Sequence, residues 1–122
     1  MSNIVAVYGS LRAGLFNHVV LGNAPYTSMG IAKGFRMHSL GAYPALVRDP
    51  DSPTEVVVEL YDVSCMKNLD RLEGCPKYYA RKQVKIDTPQ GAVLAWVYHM
   101  ERNLTEYHIE GGDWKKWLKG QV

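Results

Sequence analysis

Glu73 is the residue of this chain whose surroundings point most directly to chemistry. It stands in Leu69-Asp70-Arg71-Leu72-Glu73-Gly74, a stretch that reads as the end of a short helix running from Ser64 to Gly74. Ser64 is expected to cap its start, Gly74 to close its end, and Pro76 to forbid continuation. At about 100° per residue, Cys65, Met66, Leu69 and Leu72 gather on one face, and Glu73 falls roughly 20° from Met66 and roughly 40° from Leu69. A carboxyl on a packing face is desolvated, and the helix C-terminus places partial negative charge beside it. Both effects raise its pKa. A glutamate tuned upward can take a proton and return it near neutral pH. The alternative is plain: Glu73 pairs with Arg71, Lys77 or Arg81, or reaches solvent past the helix end. This segment alone leaves both open.

A second stretch could bind an anion. Ile4 to Tyr8 is an apolar, partly β-branched run that suits a strand buried on both faces. It ends abruptly in Gly9-Ser10-Leu11-Arg12, followed by Ala13 and Gly14. A buried strand running into small residues presents several backbone N–H groups together, which can cradle a carboxylate or phosphate. The loop has no P-loop lysine in frame, no G-x-G-x-x-G and no G-x-S-x-G, so neither nucleotide binding nor a nucleophilic Ser10 gains support. By itself it is also what an ordinary strand-to-turn junction looks like.

Other reactive side chains carry less. The four histidines, His18, His38, His99 and His108, have no ligand spacing, and Cys65 and Cys75 do not pair into a zinc pattern. Cys75 follows Glu73-Gly74, but no histidine is near in sequence to activate it. Lys115, Lys116 and Lys119 beside Trp114 and Trp117 read as the wet side of a terminal amphipathic turn.

The elements that must hold these groups follow from periodicity. Phe16 to Leu21 is expected to form a helical turn or two with Phe16, Val19 and Val20 inward. Met29 to Leu40 is expected to form one or two strands, bent at Gly30 or Gly34, and Tyr43 to Val47 another. Glu55 to Val63 alternates clearly as a strand and leads into the Glu73 helix. Tyr78 to Ile86 and Ala92 to His99 form a hairpin around Thr88-Pro89-Gln90-Gly91. Asp113 is expected to cap a last turn carrying Trp114, Trp117 and Leu118. These pieces amount to an α+β domain spanning residues 1–122: a small, mixed, closed or strongly curved β-barrel of about six strands with two or three short flanking helices.

Composition agrees with such a domain. The 122 residues are 47% apolar and 21% charged, with net charge +2, too little to suggest nucleic acid or an anionic membrane as partner. Two cysteines make no disulfide framework, and neither a signal region nor an apolar run long enough for a bilayer is present. The expectation is a cytoplasmic protein, compatible with a monomer.

Taken in order, Val7-Tyr8-Gly9-Ser10-Leu11-Arg12, Leu69-Asp70-Arg71-Leu72-Glu73-Gly74, Tyr79-x-Arg81, Ala95-Trp96-Val97-Tyr98 and Ile109-x-Gly111-Gly112-Asp113-Trp114 resemble one family, the γ-glutamylcyclotransferase-like proteins. Glu73-Gly74-Cys75-Pro76 followed by Tyr79-x-Arg81 looks most like its γ-glutamylamine cyclotransferase branch. The resemblance implies a compact β-barrel with a pocket roofed by the Tyr8–Arg12 loop. It also implies an enzyme that cleaves a γ-glutamyl amide without water, the substrate's α-amine attacking its own γ-carbonyl to release 5-oxoproline and a free amine. Glu73 would then be the general acid/base, and the backbone of Gly9, Ser10 and Leu11 would bind the glutamyl end. Tyr8 and Tyr79 would be pocket walls or hydrogen-bond donors, with Tyr98 beside them. The resemblance implies no metal and no cofactor, and a small γ-glutamyl compound as the partner. Two rivals stand beside it: the same fold acting on another amide, and a non-catalytic module binding a metabolite or protein.

Overall fold

The computed structural model describes residues 3–75, 77–101, 104 and 107–120. Its centre is a closed five-stranded barrel of β1 (Asn3–Val7), β2 (Tyr26–Ala32), β5 (Val56–Val63), β6 (Ala80–Thr88) and β7 (Gly91–His99), in the spatial order β1-β5-β2-β6-β7. The pairings are antiparallel except for the closing contact, where β1 runs parallel to β7 with Val5 opposite Trp96. β3 (Phe35–Ser39), β4 (Pro44–Arg48) and the short β8 (His108–Ile109) make a second sheet in the order β4-β3-β8. Helix α1 (Lys67–Glu73) joins β5 to β6, α2 (Trp114–Lys119) ends the described chain, and a 3-10 turn (His18–Leu21) follows the first loop. Among the described residues no helix is long and apolar enough to cross a membrane.

Two apolar cores explain the sequence pattern. The barrel interior takes Ala6 and Tyr8 from β1 and its end, Val56, Val58 and Leu60 from β5, and Ala95 and Val97 from β7, with Trp114 against them. The outer side of the same strands is also covered: Val5, Val7, Tyr61, Val63 and Tyr98 pack under Met66 and Leu69 of the α1 region. A strand buried on both faces needs no polar alternation. That is why Ile4 to Tyr8 reads as a continuous apolar run.

The expected α+β barrel is present, and several boundaries differ. The helix starts at Lys67, with Met66 at its cap and no side-chain capping bond, so Ser64 and Cys65 precede it and Cys65 is exposed. Leu72 is 41% exposed, while Met66 and Leu69 are buried. The packing face is therefore narrower than the helical wheel implied. Pro76 lies outside the described residues. Phe16 and Val19 point outward, and Leu21 is the buried residue. A 3-10 turn repeats every three residues rather than 3.6, which aligns His18 with Leu21. The hairpin turn is tighter than expected: Thr88 still pairs with Gly91, leaving Pro89 and Gln90 as the loop. β2 begins at Tyr26, before the Met29 anticipated, and β8 was not anticipated at all.

Candidate active site

The carboxyl of Glu73 opens into a cavity of about 160 Å³ beside the end of β1. Tyr8, Gly9, Ser10 and Leu11 line one side of this cavity, and Tyr79 and Tyr98 line another. Every residue singled out from the sequence as part of a site therefore meets in one place.

The fold brings them there for local reasons. β1 carries the loop past the start of β4, where a Cβ on Gly9 would lie 2.6 Å from Pro44 Cδ, so only glycine permits that approach. The loop turns tightly, Arg12 N donating to Gly9 O at 2.9 Å, and Asn17 holds Ser10 through N to O at 3.0 Å and Nδ2 to Oγ at 2.8 Å. Among the described residues, the amides of Gly9, Ser10 and Leu11 donate to no backbone acceptor. Backbone donors are normally paired, so three consecutive amides without a backbone acceptor, in a loop that lines a cavity, stand out as donors a ligand could use. On the opposite side, Gly74 closes α1 in the left-handed region at φ 62°, with Gly74 N bonded to Arg71 O and Cys75 N to Asp70 O. That reversal leaves Glu73 in the last turn facing the cavity.

Burial pushes the Glu73 carboxyl up to about 7. Among the described residues no cation pairs with it. Arg81, one of the partners left open from sequence, is instead bound to Asp70 at 3.0 Å, with its guanidinium 4.4 Å from the Trp96 ring centroid. Tyr98 OH donates to the same Asp70 oxygen at 2.7 Å. Asp70, not Glu73, is the carboxylate that Arg81 pairs with.

The tyrosines serve as walls. Tyr8 OH donates to Tyr98 O at 2.6 Å and Tyr79 OH to Pro44 O at 3.0 Å, so with Tyr98 bound to Asp70 all three phenolic protons are engaged within the protein. Burial, then the neighbouring Tyr79 and Glu73, hold the Tyr8 phenol well above its ordinary range. The Tyr8 and Tyr98 phenols stay protonated, and those protons are already held by the protein.

The sequence reading missed part of the lining. Tyr43 and Tyr78 close the mouth with hydroxyls 3.3 Å apart, and Asn17, Pro44 and Leu72 complete the walls. Tyr43 and Asn17 stand just ahead of β4 and of the 3-10 turn, outside the strand and the helical turn expected to include them, and Tyr78 directly precedes Tyr79. No lysine, arginine or histidine lines the cavity among the described residues, and Glu73 is its only carboxyl.

Comparison with known proteins places this geometry. A protein of Vibrio cholerae whose name, γ-glutamylcyclotransferase, is itself provisional is 36% identical over 93% of this chain and 96% of its own length. The γ-glutamylcyclotransferase family protein YtfP of Escherichia coli is 34% identical over 90% of this chain and 94% of its own. The crystal structure of an AIG2-like protein from Mus musculus superposes with a TM-score of 0.82 over 93% of this chain and 88% of that one, at 23% identity, a likeness of fold. The family model described as "Gamma-glutamyl cyclotransferase, AIG2-like" matches residues 5–116, from the first barrel strand to the last helix, and the chain belongs to that family.

Proposed function

We propose that this protein is a γ-glutamyl cyclotransferase with Glu73 as its general acid/base. The supporting observation is that an unpaired carboxyl with its pKa near 7 opens into the same cavity as three unpaired backbone amides. The glutamyl end of the substrate enters, its α-carboxylate held by the amides of Gly9, Ser10 and Leu11. Ionised Glu73 removes a proton from the α-ammonium, and the freed amine attacks the γ-carbonyl carbon. A new C–N bond closes the five-membered ring while the proton on Glu73 passes to the departing nitrogen and the old amide bond breaks. Glu73, ionised again, then carries the surplus proton of the ring nitrogen to the free amine, which leaves as its ammonium. The products are 5-oxoproline and a free amine. Water is neither consumed nor needed. Confinement supplies the rest, because amine and carbonyl belong to one molecule and need only be folded toward each other.

The test is 5-oxoproline release from γ-glutamyl-ε-lysine, γ-glutamyl amino acids and glutathione, with Glu73→Gln run in parallel. Turnover of at least one compound is expected, falling by roughly 10²- to 10⁴-fold in the variant, the usual contribution of a positioned acid/base. A folded Gln variant with normal turnover would remove Glu73 from the mechanism. The pH profile gives a second check. Since Glu73 must be ionised to begin, activity is lost as pH falls through about 7; an acidic limb near the ~4.3 of a free glutamate would contradict a desolvated base.

A further inference from the structure

Behind the cavity lies a second charged cluster that the reaction does not touch. Arg12, the last residue of the cradle loop, is only 4% exposed. Its Nε donates to Glu59 Oε2 at 2.9 Å and its Nη1 to Asp113 Oδ1 at 3.0 Å. The other oxygen of Glu59 accepts from Ala13 N and from Tyr61 OH, each at 2.8 Å, and Lys115 Nζ approaches Oε2 at 3.3 Å. Two cations thus face two carboxylates supplied by β5 and by the cap of α2. Both carboxylates stay ionised. Burial raises each, but the Ala13 amide, Arg12 and Tyr61 outweigh it at Glu59, and the Lys116 amide and Arg12 outweigh it at Asp113.

We propose that Arg12 is a positioning residue, which sets where the Gly9–Leu11 amides stand and thereby sets affinity for an anionic glutamyl group without contacting it. The inference rests on the cyclotransferase reading. Arg12 N closes the turn onto Gly9 O, so the Arg12 backbone and the three amides move as one unit. The front of that unit is held by hydrogen bonds that involve no carboxylate, to Asn17 and, through Leu11 O, to His18 Nδ1 at 2.8 Å. Behind it, among the described residues, Arg12 and the Ala13 amide tie it to the Glu59 carboxylate of the barrel wall, and Arg12 ties it to Asp113 at the cap of α2. A guanidinium suits this task because its donors point to carboxylates on different elements at once, which the single ammonium of lysine does not reproduce.

The test titrates γ-glutamyl-ε-lysine calorimetrically into Glu73→Gln protein, which binds without turnover, and into Glu73→Gln with Arg12→Lys. Parallel kinetics compare wild type with Arg12→Lys. Misplaced amides should raise Kd and KM by roughly ten- to a hundredfold, while kcat changes little and its acidic limb stays near that of wild type, because Glu73 is untouched. Should Arg12→Lys fold poorly, Asp113→Asn loosens the same clamp and still caps α2; a smaller rise of the same kind is expected. A folded variant that is less stable yet binds with unchanged Kd would overturn the positioning role and leave the cyclotransferase reading intact. Glu73→Gln protein that binds neither γ-glutamyl-ε-lysine nor γ-glutamyl amino acids nor glutathione would overturn both.

Discussion

Glu59 and Glu73 are two buried glutamates in one small protein, held in opposite ways. Glu59 is only 4% exposed, yet its carboxyl sits below the ordinary range because Ala13 N–H, Arg12 and Tyr61 all donate to it. Glu73 is less completely buried, and burial raises it to about 7 because no donor answers it. Burial pushes both carboxyls upward; the donors around Glu59 reverse that push, and nothing reverses it at Glu73. Glu59 is committed to one charge state and can only hold structure. Glu73 is balanced between two, which is the requirement for moving a proton.

The largest effect should come from disturbing the satisfied partner. Glu59→Gln leaves Arg12 and Lys115 facing one carboxylate fewer inside the protein, and losing one member of a buried ion pair costs about 3–5 kcal/mol. Urea unfolding followed by tryptophan fluorescence should show that loss. Replacing both members, Arg12→Met with Glu59→Leu, should recover part of it, since the two charges that lose a partner, Asp113 and Lys115, keep contact with solvent. A Glu59→Gln protein as stable as wild type would mean that the two glutamates differ less than their partners indicate.

The second effect has the opposite sign. A folded-state pKa above the unfolded value means that the folded protein holds the Glu73 proton more tightly than the unfolded chain does. Stability is then unaffected well below the unfolded value near 4.5, declines as pH rises toward about 7, and stays reduced above it. Glu73→Gln removes that penalty. At pH 8 the variant should be more stable by about 1–3 kcal/mol, several degrees in Tm for a chain of this size, and at pH 4 the difference should nearly vanish. Calorimetric scans at the two pH values measure it. A Gln variant no more stable at pH 8 than at pH 4, each against wild type, would show that Glu73 is not strained by ionisation.

The contrast between these glutamates was only half legible in the sequence. Glu73 announced itself because one helix, ended by Gly74, fixed which way it faced, and local periodicity carries that information. Glu59 alternates with Val58 and Leu60 on a strand, which places it off the barrel interior but does not say that Arg12, 47 residues earlier, will meet it. Long-range pairing of this kind leaves no periodic trace. The same limit hid Tyr43 from the cavity lining and the short β8 from the strand count, since Tyr43 meets Tyr78 and β8 pairs with β3, partners far away in sequence. The barrel itself was legible because its strands are long and the hairpin turn names its own register. The Gly9–Leu11 loop was legible as a possible anion site, and the structure adds that its amides have no backbone acceptor among the described residues and that Pro44 crowds residue 9.

The smallest effect tests whether Glu73 truly stands alone. Tyr98 lines the cavity, but its hydroxyl donates away from it, to Asp70 at 2.7 Å, where Arg81 also binds at 3.0 Å. Tyr98→Phe keeps the ring as a wall and removes one hydrogen bond to a carboxylate that retains its arginine. Such a bond contributes on the order of 1 kcal/mol, so a modest loss of stability is expected, with kcat and its acidic limb essentially unchanged. A Tyr98 that instead donated to the substrate, or to Glu73 itself, would behave differently: kcat would fall by a hundredfold or more, as for a lost transition-state donor, or the limb would move as Glu73 lost a partner of its charged form. Steady-state rates across pH 5 to 9, measured on both proteins, separate these outcomes. An unchanged limb would leave burial as the cause that holds the base near neutrality, with Tyr98 serving it only as a wall.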